Sequence, residues 1–423
     1  MSYRSISRER FIKGAGVGAA ALSTGIPAFI PRLGEAAETL KIGYVSGITG
    51  VYSAEAQSNM RGLELAVEAW NKRGGVMGRR VEVIKADDHS KPGTSVQKAR
   101  QLVNEQSCVA LCGTLSSAAT LSDSAASATM GTLFVDMGGH ADQISGAGCH
   151  WSAFQTCHTT WMLTHATGYS IAEKFGKKWF MLTPDYAFGH SLAAGYQDVL
   201  NKVGGQVVAN ELAPLGTTDF SSYLVKVDAA KPDCLIFLVA GQDFVNAIKQ
   251  ADTFGLLKKY PVAGPILEFE SILELPKSAR VGFWGVEWYY NSDLVFKKNN
   301  AVAADFVAEY RKRHKMPPTA QSCFGYVALD RICWAINETK STDGVKLARA
   351  LAGSPFKSVW NGDPFYRKVD HSLMWPVWFG QIRPDGTPAD PYDLFNIVDR
   401  REPSQIAASE ASQAKVCHLD WPS

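Results

Sequence analysis

The chain has 423 residues, 46% of them hydrophobic and 20% charged, which is enough apolar material to bury two cores of ordinary domain size. Its 43 basic residues are balanced by 41 acidic ones for a formal net charge of +2, so nothing marks it for a phosphate backbone or an anionic membrane. A fibrous or disordered chain is excluded, and nucleic acid is removed from the expected partners.

Residues 1–37 read as an export signal: Arg4, Arg8, Arg10 and Lys13 precede an uncharged Gly/Ala-rich stretch, and small residues at 34–37 suit cleavage. The segment Ser7-Arg8-Glu9-Arg10-Phe11-Ile12-Lys13 resembles the twin-arginine signal of bacteria, with Glu9 splitting the two arginines, so the general secretory route stays open beside it. A membrane anchor would need ~20 strongly apolar residues. Gly14, Gly16, Gly18, Gly25 and Pro27 argue against one. The run Gly14-Ala15-Gly16-Val17-Gly18 is not read as a phosphate loop, because it follows a basic leader rather than a strand.

From residue 41 the sequence alternates strand and helix. Short apolar runs at 41–46, 81–86, 108–112 and 132–136 read as buried strands, and Met60, Leu63, Val67 and Trp70 mark a helix stopped by Gly74-Gly75. The rhythm breaks around 156–169 and resumes with strands at 179–183, 207–211, 234–239 and 283–288. Two further helical patterns, through Val302, Phe306 and Tyr310 and over 321–338, have no sheet of their own and are expected to return to the first lobe. The expected fold is α/β, with two doubly wound lobes joined by a hinge that the chain crosses more than once. Its expected division is 38–157 for the first lobe, 158–287 for the second, 288–362 returning to the first and 363–400 completing the second. The tail 401–423 is expected to be loosely held.

Ligands of open α/β sheets sit beyond the carboxyl ends of strands. That directs attention to the loops at 47–57, 113–118, 136–142, 184–189, 240–243, 264–270 and 287–291.

Eight cysteines, at 108, 112, 149, 157, 234, 323, 333 and 417, do not fix a disulfide connectivity. Cys149 and Cys157 are the first pair to test, while Cys234 lies in an apolar run and reads as a core residue. Cys149-His150 and Cys157-His158 offer metal-ligand types at no familiar zinc spacing, so no metal site is assigned.

Several segments together resemble the branched-chain amino-acid binding protein family, the type I periplasmic receptors of ATP-driven importers. They are Lys41-Ile42-Gly43 through Thr49-Gly50, Arg61-Gly62-Leu63-Glu64-Leu65-Ala66-Val67, and Gly74-Gly75-Val76-Met77-Gly78-Arg79. Asp87-Asp88 with Pro92, Gly113-Thr114-Leu115-Ser116-Ser117, Asp185-Tyr186-Ala187-Phe188-Gly189 and Thr218-Asp219-Phe220 follow in the same order. The resemblance implies capture of a small polar organic solute, with no catalytic residue and no cofactor. It implies a periplasmic, monomeric protein whose partners are the permease and ATPase of the importer.

Carried onto this sequence, the resemblance implies that Ser116, Ser117 and the loop Gly138-Gly139-His140 meet a ligand carboxylate. From the second lobe it implies Tyr186 and Phe188 as a lid, Gln242 in the next loop and Glu268 facing an ammonium. Tyr52, Glu55 and Trp288 complete the candidate set. Glu55 stands where an aromatic residue would be usual, and Glu287-Trp288-Tyr289-Tyr290 is unusually aromatic. Both departures leave the ligand open. A ligand-sensing module of the same fold, feeding a regulator, is the alternative, and an amidase or metal hydrolase a weaker one, since no nucleophile–base pair or metal triad is found by motif.

Overall fold

In the computed structural model, residues 38–292, 300–359 and 362–422 are described. The expected export signal at 1–37 lies outside them.

The first sheet is wholly parallel, with order β2-β1-β3-β4-β5, formed by β1 (Leu40–Ser46), β2 (Val81–Asp87), β3 (Ala110–Gly113), β4 (Leu133–Asp136) and β5 (Ala153–Gln155). β1, β3 and β4 are near-continuous apolar runs because helices cover the sheet, and a strand buried on both faces loses the alternating pattern, while the edge strand β2 mixes charged and apolar residues. Leu40, Ile42, Tyr44, Leu111 and Val135 are fully buried, and each such side chain contributes ~1.5–3 kcal/mol relative to exposure.

The second sheet has the order β14-β13-β10-β9-β8-β6-β7. Its parallel body is β6 (Lys178–Pro184), β7 (Gln206–Ala213), β8 (Cys234–Phe237), β9 (Val262–Gly264) and β10 (Phe283–Val286). β11 (Phe365–Tyr366) and β12 (Leu373–Met374) form a separate antiparallel pair, and β13 (Val377–Ile382) and β14 (Phe395–Arg401) extend the second sheet antiparallel beyond β10. Cys234 is fully buried in β8.

The later helices do return to the first lobe. Helix Ala320–Thr339 lies on helix Ser53–Lys72, and glycine on both sides permits backbone contact. A Cβ on Gly62 would stand 1.9 Å from the Ser322 carbonyl oxygen, and one on Gly325 would stand 2.1 Å from that of Asn59. The chain therefore passes between the sheets after β5, after β10 and again before β13.

Two expectations are corrected. The region around 156–169 is not a break: Thr160–Phe175 is a helix, capped by Thr159, whose side chain accepts from the Met162 N–H at 3.2 Å. Its Thr, His and Gly residues obscured the pattern, yet Met162, Leu163, Ala166 and Ile171 are buried. The tail is not loose. Cys417 is bonded to Cys149, with Cα atoms 5.6 Å apart, so the pair Cys149–Cys157 is replaced by a link across 268 residues. Gln413 donates to the Ser145 carbonyl at 3.1 Å and to Asp370 at 2.9 Å, and the Arg367 guanidinium donates to the Ala408 carbonyl at 2.6 Å. Cys157 is instead buried between the sheets, its thiol 3.2 Å from the Gly139 carbonyl.

Candidate functional site

The carboxyl ends of both sheets face one cavity, as the strand directions require. Tyr52 follows β1, Leu115 follows β3, and Gly138 and His140 follow β4; from the other side come Tyr186 and Phe188 after β6, residues 239–241 after β8 and residues 266–268 after β9. The cavity is small, with about 30 Å³ roomy enough to centre a water molecule. Only a compact ligand fits between walls this close.

The two sides touch. The hydroxyls of Tyr52 and Tyr186 are hydrogen-bonded to each other, Gln321 Nε2 donates to Glu268 Oε1 at 2.7 Å, and the Gln242 N–H donates to the Val51 carbonyl at 3.0 Å. Below the cavity, Glu287 after β10 joins the halves again. His140 Nε2 lies 2.8 Å from Glu287 Oε2, and the other carboxylate oxygen accepts from the His158 N–H at 2.9 Å and lies 2.9 Å from His158 Nδ1.

Of the candidate residues, Tyr52, Glu55, Gly138, His140, Tyr186, Phe188 and Glu268 line this cavity. Ser116, Ser117, Gly139, Gln242 and Trp288 do not. Ser117 Oγ accepts from the His140 and Ala141 N–H groups at 3.1 and 3.2 Å, which makes it the brace of the 138–141 loop. Gly138 and Gly139 donate their N–H groups to Asp136 Oδ1 at 3.2 and 2.8 Å, so the amides read as free for a ligand carboxylate hold the protein's own. Ser116 occupies the buried N-cap position of helix Ser117–Met130. Gln242 points along its own helix to Asn246. Trp288 is buried in hinge packing, where its indole donates to the Val359 carbonyl at 3.2 Å.

Sequence reasoning missed Gln321, Ser271, Phe244 and Leu115. Gln321 had a usable signal, because it is a polar residue one turn before Phe324 and Gly325 on the buried face of a long helix. Leu115 lies in the loop 113–118 that strand polarity singles out, whereas nothing local marks Ser271 as a cavity residue.

The electrostatics are one-sided. Burial, reinforced by Glu270, pushes the Glu55 carboxyl up to about 8. Burial likewise raises Glu268 well above the usual range, with Glu270, Glu287 and Glu55 adding to the effect, and Glu270 is raised mainly by burial. Glu287 goes the other way: burial works against its charge, but His140 and His158 outweigh it and hold the carboxyl down at about 2. His140 is raised against the opposing effect of burial by the same carboxylate. Its two ring nitrogens face the Gly138 carbonyl and Glu287, both acceptors, so both carry protons and the ring is cationic. Among the described residues no group of three or more His, Cys, Asp or Glu is arranged to hold a metal ion. The arrangement can enclose, orient and desolvate a small molecule.

Two α/β lobes meeting at the carboxyl ends of their strands, with a cavity between them, define a two-lobed binding protein. The family profile described as Periplasmic binding protein matches residues 39–387, and the chain belongs to that family, one of binding proteins and not of enzymes. It is similar to the Leu/Ile/Val-binding protein homolog 7 of Brucella suis biovar 1 (strain 1330), at 25% identity over 347 residues, covering 78% of this chain and 85% of that protein. A crystal structure of a periplasmic binding protein from Burkholderia mallei superposes with a TM-score of 0.81 at 25% identity, covering 89% of this chain and 98% of that one. A solute-binding protein of an ABC transporter from R. palustris, solved in complex with benzoate, shares the fold with a TM-score of 0.75 at 21% identity, covering 85% and 96% of the two chains.

Proposed function

We propose that this protein is exported to the periplasm and serves as the solute receptor of an ABC importer, capturing a small polar organic solute and presenting it to the permease and ATPase. The observation that carries the reading is the cavity sealed from both sides by Tyr52 with Tyr186 and by Gln321 with Glu268. Bonds of this kind form only when the lobes are together, so a bound solute that adds contacts to both walls shifts the population toward closure. The permease can then distinguish loaded from empty receptor by shape. Tyr52, Glu55, His140, Tyr186, Phe188 and Glu268 are the ligand contacts in this reading.

Titration calorimetry against aliphatic amino acids, short amides, urea, amines and small aromatic acids identifies the solute. Small-angle scattering with and without it then tests closure: the radius of gyration should fall on binding. Superimposable profiles under saturation would rule out closure as the signal.

A further inference from the structure

We infer that the cavity takes a small organic cation, an amine or amidinium on a compact apolar body, and one that bears no carboxylate. The inference rests on the solute-receptor reading and narrows the solute that the site accepts.

The acidic wall comes first. Glu55 and Glu268 both line the cavity and both are more than nine-tenths buried, with Glu270 close behind them. Glu268 is partly satisfied by Gln321. Glu55 is not: its Oε1 receives only a long bond of 3.4 Å from the Ser271 hydroxyl, and its Oε2 is buried without a hydrogen-bond partner. A buried carboxyl oxygen without a donor is costly, and two such groups in one small space add mutual repulsion. A ligand that brings N–H donors and positive charge to that wall removes both costs together.

The anion side is the second, independent observation. Among the described residues no lysine or arginine lines the cavity, and the cationic lining group among them, His140, spends both ring nitrogens on the Gly138 carbonyl and Glu287. The loop amides that the resemblance would assign to a ligand carboxylate are committed elsewhere, to Asp136 and to Ser117 Oγ, and neither Ser116 nor Ser117 lines the cavity. A carboxylate placed here would be desolvated beside two acids with no lysine or arginine of the described lining to neutralise it, an unfavourable position. A metal ion is a poor alternative occupant, since no three ligating side chains among the described residues converge. Rings of Tyr52, Tyr186, Phe188 and Phe244 supply the remaining wall, which suits an apolar body and adds cation–π attraction.

The experiment is titration calorimetry of the purified protein with two matched series. Leucine, isopentylamine, isovaleramide and isovalerate share a branched body; benzylamine, benzamide and benzoate share a ring. In each series the amine is expected to bind at least about tenfold more tightly than the amide or the acid, and isopentylamine more tightly than leucine. Glu55→Gln should weaken amine binding by about tenfold or more while the melting temperature stays unchanged or rises. Glu55→Asp should recover part of the lost affinity. Leucine or either carboxylate binding more tightly than its amine overturns the inference and leaves the solute-receptor reading standing. An amide equal to its amine also overturns it, because the wall would then be accepting N–H donors without charge. Silence from both series at millimolar concentration overturns it as well, and the receptor reading is then decided separately by the scattering test with whichever solute binds.

Discussion

Asp136 and Glu55 are both buried carboxyls at the carboxyl end of the first sheet, and their surroundings could hardly differ more. Asp136 accepts from two glycine amides, lies near Thr120 and sits beside the Cys157 thiol. Glu55 has one long bond and one orphaned oxygen. Burial raises both, Asp136 to about 7 and Glu55 to about 8, so the burial shift alone does not tell them apart. The partners do. A buried polar group whose bonds are completed within the chain holds the fold, and one left incomplete on a cavity wall awaits a ligand.

That contrast is sharpest in a substitution of Asp136. Asp136→Ala leaves the Gly138 and Gly139 N–H groups buried without an acceptor, at ~1–3 kcal/mol each, so urea unfolding should show a loss of about 3 kcal/mol. Ser117→Ala strips the acceptor from the His140 and Ala141 amides in the same loop and should cost about 2 kcal/mol by the same measurement. An unchanged unfolding midpoint in either variant would mean that the loop is not braced as described. On the other side of the comparison, Glu55→Gln should leave stability within about 1 kcal/mol of the parent, or improve it, because it removes a buried carboxyl whose ionisation burial opposes and whose Oε2 has no internal donor.

The smallest expected effect is on the pH dependence of the ligand-free protein. Glu55 at about 8, and Asp136 and Asp123 at about 7, are all raised in the folded state, mainly by burial. The folded chain then binds more protons than the unfolded one between the ordinary carboxyl range and those values, so stability falls as pH rises through that window. Glu287, held at about 2, has the opposite sign: its contribution is present above the ordinary carboxyl range and lost as pH falls toward about 2. The melting temperature should decline from about pH 5 to about pH 8. Glu55→Gln should flatten the upper part of that decline. A parent curve that rises over the same interval would show that these carboxyls are ionised and partnered in the fold.

Legibility in the sequence followed burial pattern and chain locality. The apolar runs that became β1 to β4 and β6 to β8 are local, and so are the glycines that end helices. The long helical patterns at 301–314 and 320–339 could be sent back to the first lobe because they had no sheet of their own. The helix Thr160–Phe175 was illegible because its buried face carries Thr, His and Gly instead of repeating an apolar stripe, and the polar groups are satisfied by helix carbonyls and by Tyr196 and Asp198. β14 lies at the sheet edge, where polar and apolar residues mix and no strong run forms, while the apolar run of β13 is short and follows Pro376.

The sequence by itself determined the two-sheet α/β class and the loops that face the cavity, because strand polarity places each following loop on the same edge of the sheet, and the family resemblance carried onto those loops named most of the seven candidate residues found on the cavity wall. Only the tertiary structure decided which polar groups are spent and which remain. Ser117 and Glu55 each read as a cleft residue, yet one accepts from two amides 23 and 24 residues away in the chain and the other has an oxygen left without a donor. The pairing of Cys149 with Cys417, and of Gln321 with Glu268, likewise joins segments that no spacing rule connects. Hydrogen-bond satisfaction and disulfide geometry depend on distances between chain segments brought together by packing, and a linear pattern carries no record of them.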